Sequence, residues 1–511
     1  MTTEKEKLTH EEAVRKTKLI MIDFYDALEK KLKRHPPQVY IPYVAEQLTR
    51  SRENVKTLCK LPPHNMIHSI EANCAYYKSG YSDPIDWDKF AKIMNIYHDF
   101  GDNPFQSYTI QENIGRFILM MHRQQFALQE GVSKTYIARV WSLFVNNPYT
   151  AKLSEEFQKE YSFTFEQWFH LVFLSWVGAN DKPTHLFERN ILLNCDFYKV
   201  TQDIIDAFYQ HISLTVEQVK ENFKSLRRDI EPAFHFLIQP VLMHKPIIDF
   251  ENGKMIAPAP DLILLYSGQG MLDLLSRIKG YDIYLSKSFE AYIMQLLSCL
   301  KRKNKILSNN QLERMTDGKS CDFLIETDSE ILLVECKATT FTARMFTDNA
   351  ILKNNSTGKI AEGLVQIYTS AYDLDKGVFD SLSIDKKKKV VGIVVTLGEI
   401  PLANLDWYIN SFIMVRAETE KKLTSPIYPS RLMQDRPITM SVDTFENLIV
   451  IMNNTGLSMI DLYTQKEKEG VARAGDWNTF LRQNLKSSYE ELPFVQKNNS
   501  LFYESMGVVL S

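Results

Sequence analysis

Two carboxylates and an ammonium group, Asp322, Glu335 and Lys337, stand in a stretch, CDFLIETDSEILLVECKA (residues 321–338), that otherwise reads as protein interior. Apolar and β-branched residues on either side of Asp328-Ser329 predict a β-hairpin. A turn centred between those two residues, of even length, sets Glu326 opposite Ile331, Leu324 opposite Leu333 and Asp322 opposite Glu335. Directly opposed residues share a face, with Cβ atoms roughly 4.5–5.5 Å apart. Lys337, two residues beyond Glu335, points the same way. The other face carries Phe323, Ile325, Leu332 and Val334, while Leu324, Ile331 and Leu333 make the charged face apolar except at its end. A turn of odd length would separate Asp322 and Glu335 onto opposite faces.

Two like charges about 5 Å apart repel by roughly 3 kcal/mol at an effective dielectric near 20. A compensating cation or a raised pKa must answer that cost. A hard divalent ion with oxygen ligands does so economically, and Mg²⁺ suits one or two carboxylates plus a phosphate. Lys337 would then stand close to the phosphate, an arrangement suited to metal-assisted phosphodiester hydrolysis.

Asp322, twelve intervening residues, and then Glu335-Cys336-Lys337 resembles the D…(D/E)xK signature of the PD-(D/E)xK, or restriction-endonuclease-like, nuclease superfamily. The resemblance covers about residues 281–400. It implies Mg²⁺, replaceable by Mn²⁺, on Asp322, Glu335 and the backbone carbonyl of Cys336, with Lys337 orienting or deprotonating the attacking water. Members often add a catalytic, metal-binding glutamate from the first helix, where Glu290 stands, and some a catalytic glutamine from the helix after the motif, where Gln366 stands. Glu290 also fits the first turn of a helix capped by Ser286 or Ser288, and Gln366 also fits a helix surface. Two departures are evident: Cys321 replaces the eponymous proline, and Ser370 stands where some subfamilies place a tyrosine.

The elements that must position these residues alternate in the order α-β-β-β-α-β. A helix in SKSFEAYIMQLLSCLKR precedes a strand near KILSNN and the hairpin; a helix around IAEGLVQIYTSAYDL then leads to VVGIVVTL, a run typical of a strand buried on both faces. PITMSV predicts one more strand, and Asp443 with Glu446 a cap for the helix TFENLIVIMNNTG. Residues 1–240 are repeatedly helical in pattern, including ENIGRFILMMHRQQFALQE, the all-apolar FTFEQWFHLVFLSWVG and a capping box at Thr215 and Gln218. Between them KPIIDFENGKMIAPAP predicts a hairpin with a two-residue turn at Asn252-Gly253. The expected class is α + α/β: a helical region, 1–240, for recognition or regulation; a connector, 241–280; the nuclease-like core, 281–400; and an extension, 401–511, packed on it.

The chain has 511 residues, 44% hydrophobic and 24% charged, and a net charge of −3, which excludes blanket histone-like binding but not a local basic groove. All eleven histidines lie at or before His244, so chemistry in the second half uses no histidine base or histidine zinc ligand. The charged N-terminus and the absence of a long apolar run predict a cytoplasmic protein with no membrane partner. Six cysteines without a CxxC pair predict reduced thiols. His64, His68 and Glu71 share metal-ligand spacing but read as structural, and Lys301–Lys303 and Lys386–Lys389 as solvated ends that could touch phosphates. Nucleic acid is the expected partner, DNA favoured over RNA, with a protein trigger or self-association through the helical region. The layout resembles bacterial proteins that act in defence against phage or foreign DNA. The rival readings are an RNA-cleaving enzyme, a nucleic-acid-binding scaffold with an inactive core, and a helical interaction protein.

Overall fold

A computed structural model describes residues 10–52, 61–100, 134–194, 200–230, 235, 238–316, 319–340, 355–400, 408–419, 432, 437–468, 477–484 and 491–507. ENIGRFILMMHRQQFALQE, Cys59 and Cys195 lie outside them. Over the described residues the protein is mixed α and β and rich in helix, with two small sheets. It divides into two compact units, and not colinearly. Residues 1–134, 154–279 and 503–511 form one, and 135–153 with 280–502 the other.

The first unit packs helices that include His10–Leu32, Pro37–Arg52, Pro63–Tyr76 and Val216–Asp229. Their apolar faces meet around Phe24, Leu28, Tyr40, Ile67, Ile70 and Phe223. Thr215 and Gln218 form the expected capping box. The small sheet has the order β1 (Leu186–Glu188), β4 (Lys254–Ile256), β3 (Ile247–Asp249), β2 (Ser213–Thr215). The β3–β4 turn differs from the expected one: Glu251 and Gly253, not Asn252, have positive φ. Two side chains shape this turn, Asp249 accepting from the Glu251 amide at 2.8 Å and Asn252 from the Lys254 amide at 3.1 Å.

The second unit is built on a five-stranded sheet, β5 (Lys303–Ser308), β6 (Phe323–Thr327), β7 (Glu330–Lys337), β8 (Lys389–Thr396) and β9 (Ile438–Ser441), in that order. The β5–β6 and β6–β7 pairs are antiparallel, and the β7–β8 and β8–β9 pairs are parallel. The helix Tyr281–Ser298 precedes β5, and Asn355–Lys376 makes the crossover from β7 to β8, so the α-β-β-β-α-β order is present. Ile367, Ala371 and Leu374 of the crossover helix cover Leu324, Ile331 and Leu333. Helices Tyr281–Ser298 and Val442–Thr455 contact β7 and β8 and close the other face.

Two helix starts differ from expectation. Tyr281–Ser298 opens after Gly280 in the left-handed region at φ 78°, so Ser286 and Ser288 lie inside it. Ser288 instead donates to the Leu143 carbonyl at 2.5 Å, tying the helix to residues 135–153. Val442–Thr455 is capped by Ser441, which accepts from the Thr444 amide, and Glu446 is used elsewhere.

Candidate active site

The hairpin register is the expected one. Strands β6 and β7 are joined by two residues and pair Phe323 with Val334, Leu324 with Leu333, and Glu326 with Ile331. Asp322 lies just before β6 and Glu335 near the carboxyl end of β7, where parallel strands present their binding crevice. Each carboxylate reaches across to the other strand. Asp322 Oδ2 accepts from the Cys336 amide at 2.7 Å, and Glu335 Oε2 accepts from the Asp322 amide at 3.1 Å. Lys337 Nζ stands 2.8 Å from Glu335 Oε1 and donates to Gln366 Oε1 at 2.7 Å.

Both carboxyls are buried, Asp322 at 9% exposure and Glu335 at 1%. Burial raises the pKa of Asp322, and the Cys336 amide and Lys337 offset part of that. Glu335 is pushed well above the ordinary carboxylate range by burial and then by Asp322, against the pull of Lys337. Lys337 keeps its charge despite burial because Glu335 holds its pKa up. Two carboxyls raised by burial, one of them further by the other, are a pair seeking a proton or a cation.

Glu290 lies in the middle of its helix, not in the first turn, so the helix-end explanation for its acidity does not apply. It is partly buried, and burial followed by the charge of Asp322 lifts its pKa to about 7. Its field also reaches the Cys336 thiol. Among the described residues no group of three or more His, Cys, Asp or Glu side chains is disposed to hold a metal ion. Of the expected donors, Asp322 and Glu335 are brought together across the hairpin, and Glu290 does not join them in such a group. Hard oxygen donors of this kind fit Mg²⁺ or Mn²⁺, since a carboxylate oxygen that accepts one amide bond keeps a second lone pair.

The crossover helix contributes more than Gln366. Ser370 Oγ accepts from the Cys321 amide at 2.8 Å, and a proline at 321 would lack that donor. Gln366 is fixed in turn by the Ser320 carbonyl at 3.4 Å. Glu362 stands 3.9 Å from Lys337 and 3.5 Å from Lys319. Glu362 and Ser370 each fall four residues from Gln366, a spacing that could have marked them. Gly363 lets the helix close on the site, because a Cβ there would meet Glu335 Cγ, Lys337 Cε and Val394 Cγ1, each at 3.2 Å. Gly363→Ala should therefore lower Tm, although alanine favours a helix by about 1 kcal/mol. Overpacking costs about 1–3 kcal/mol, and a thermal melt showing a higher Tm would contradict the close fit.

The basic runs are placed elsewhere. Lys303 pairs with Thr327 and Lys389 with Glu330, at the end of the sheet remote from Asp322 and Glu335. Glu335 lies five residues beyond Glu330 along β7, about 17 Å at strand rise. Lys303 caps the carbonyls of Ser298 and Leu300, and Lys388 bonds Glu326 and the Thr327 carbonyl, so neither run lines the site. His68 bonds Tyr97 at 2.7 Å and Arg227 at 2.5 Å, and Glu71 accepts from the Leu242 amide at 2.9 Å, a structural network. No helix among the described residues is long and apolar enough to cross a membrane. Cys74, Cys299, Cys321 and Cys336 are free thiols.

Comparison of the chain with protein-family models, with curated proteins and with solved structures gave no match.

Proposed function

We propose that the chain is a metal-dependent nuclease that hydrolyses phosphodiester bonds, with DNA favoured over RNA. The Asp322–Glu335 pair carries this reading: two buried carboxyls, crossed over the hairpin by their own backbone bonds, with Lys337 against one of them. Held by Asp322, Glu335 and the Cys336 carbonyl, Mg²⁺ would supply positive charge against the oxygens of a phosphodiester.

The chain's own residues do the rest. Lys337 Nζ, which keeps its proton, orients the attacking water as a donor, and Gln366 fixes that ammonium group. Glu290, its pKa lifted by burial and by the charge of Asp322, completes the acidic rim beside Asp322. The absence of histidine beyond residue 244 leaves this unit without an imidazole base. A role in defence against foreign DNA rests on the resemblance of layout alone.

The test is cleavage of supercoiled plasmid, linear duplex, single-stranded DNA and RNA, each with Mg²⁺, Mn²⁺ or EDTA. Cutting should require the metal and fall by about 10²–10⁴-fold in Lys337→Ala, the range for losing a positioned acid–base group. Metal-independent cutting, or full activity in Lys337→Ala, would rule the reading out. No cutting of any substrate would favour the scaffold reading and shift attention to residues 1–240.

A further inference from the structure

We infer that Glu362 is a positioning residue that holds Lys337 in place when Glu335 gives its charge to a cation, an inference that rests on the nuclease reading above. Lys337 has three donor protons. Glu335 Oε1 at 2.8 Å and Gln366 Oε1 at 2.7 Å account for two contacts, and Glu362 Oε2 stands at 3.9 Å. A cation on Glu335 would both consume that carboxylate's charge and repel the ammonium group. Lys337 would then be held by the neutral amide of Gln366 unless a second carboxylate faced it. Glu362 is that carboxylate.

The helix is built for the contact. Glu362 and Gln366 are four residues apart and so stack on one helical face. Gly363 between them removes the side chain that would keep the helix off Lys337 Cε. Glu362 is only partly buried, and on its outer side lies Lys319, whose side chain is 75% exposed. Lys319 is placed to exchange Glu362 for a substrate phosphate, which removes one cation that competes with Lys337 for Glu362. Substrate arrival and fixing of the lysine are thereby linked through one carboxylate.

Steady-state cleavage by the full chain tests this with Glu362→Gln, Glu362→Asp and Lys337→Ala beside the wild type. Glu362→Gln should lower kcat about 10–100-fold, as expected for a supporting residue, with KM, Tm and Mn²⁺ affinity by titration calorimetry unchanged. Glu362→Asp, which keeps the charge, should recover most of the loss. A normal kcat in Glu362→Gln overturns the inference, as does a raised KM alone or a fall in Tm that matches the loss. Failure of the nuclease reading looks different: the wild type then shows no metal-dependent cutting, or Lys337→Ala matches it.

Discussion

Asp322→Asn is expected to make the metal-free protein more stable while removing its cleavage activity. The substitution keeps an acceptor for the Cys336 amide, now 2.7 Å from Asp322 Oδ2, and removes one of two buried like charges. Gross repulsion of roughly 3 kcal/mol at about 5 Å is partly offset by Lys337 and the backbone donors. A net gain of about 1–2 kcal/mol is therefore expected at neutral pH. The pH dependence gives the same sign. Burial raises both Asp322 and Glu335 above their unfolded values, so the folded state binds protons more readily than the unfolded chain. Their contribution is fully present below the unfolded carboxylate range and is lost as pH rises through the raised folded values. Tm of the metal-free wild type should thus decline over that window, and Asp322→Asn should flatten the decline. Mn²⁺ should restore Tm in the wild type by binding the folded state, and not in the variant. Cleavage should fall by more than about 10²-fold, as when one electrostatic stabiliser is removed. A less stable Asp322→Asn protein, or a wild type whose Tm ignores Mn²⁺, would show that the pair is satisfied as it stands.

The register of that pair was legible because it depends on local rules alone. Alternation of apolar residues around a two-residue turn at Asp328-Ser329 leaves little freedom, and the strand in VVGIVVTL announces itself by composition. Helix starts were less legible. Ser288 has a good capping side chain, yet the chain is already helical there and its hydroxyl serves Leu143. Ser441 won the cap that Asp443 was expected to hold, because β9 ends on it in extended backbone with its side chain turned to the Thr444 amide. The turn at residues 251–253 was misjudged because Asp249 and Asn252 side chains, not the glycine alone, decide its shape. The basic runs read as solvated ends that could touch phosphates, and only the direction of the sheet puts them at the end away from Asp322 and Glu335. Least legible was the passage of residues 135–153 into the second unit. Its principal tie joins residues 307 apart in the chain, a distance over which no local pattern carries information.

That tie is Arg139, and its loss is expected to destabilise the second unit strongly. Arg139 Nε donates to Glu446 Oε1 at 2.6 Å, and one of its terminal nitrogens lies 3.0 Å from Asp443. Tyr292 donates to the same Glu446 oxygen at 2.5 Å. Arg139, Glu446 and Tyr292 are all buried. Burial raises the pKa of Glu446, and Arg139 is the largest influence holding it down. Arg139→Leu leaves that carboxylate buried without its cation, a defect of about 3–5 kcal/mol. For a unit of this size the loss corresponds to a fall in Tm on the order of 10 °C. Activity should fall with it, since Tyr292 sits two residues from Glu290 on the helix beside Asp322. Arg139→Lys should recover only part of the stability, because a point charge cannot reproduce the two-pronged contact. The decisive variant is Arg139→Leu with Glu446→Leu. Removing both charges takes away the uncompensated carboxylate and should regain most of the stability, as replacement of buried ion pairs by apolar residues often does. If the double variant melts as low as Arg139→Leu, the stability lies in the shape of the arginine packing and not in the charge pair.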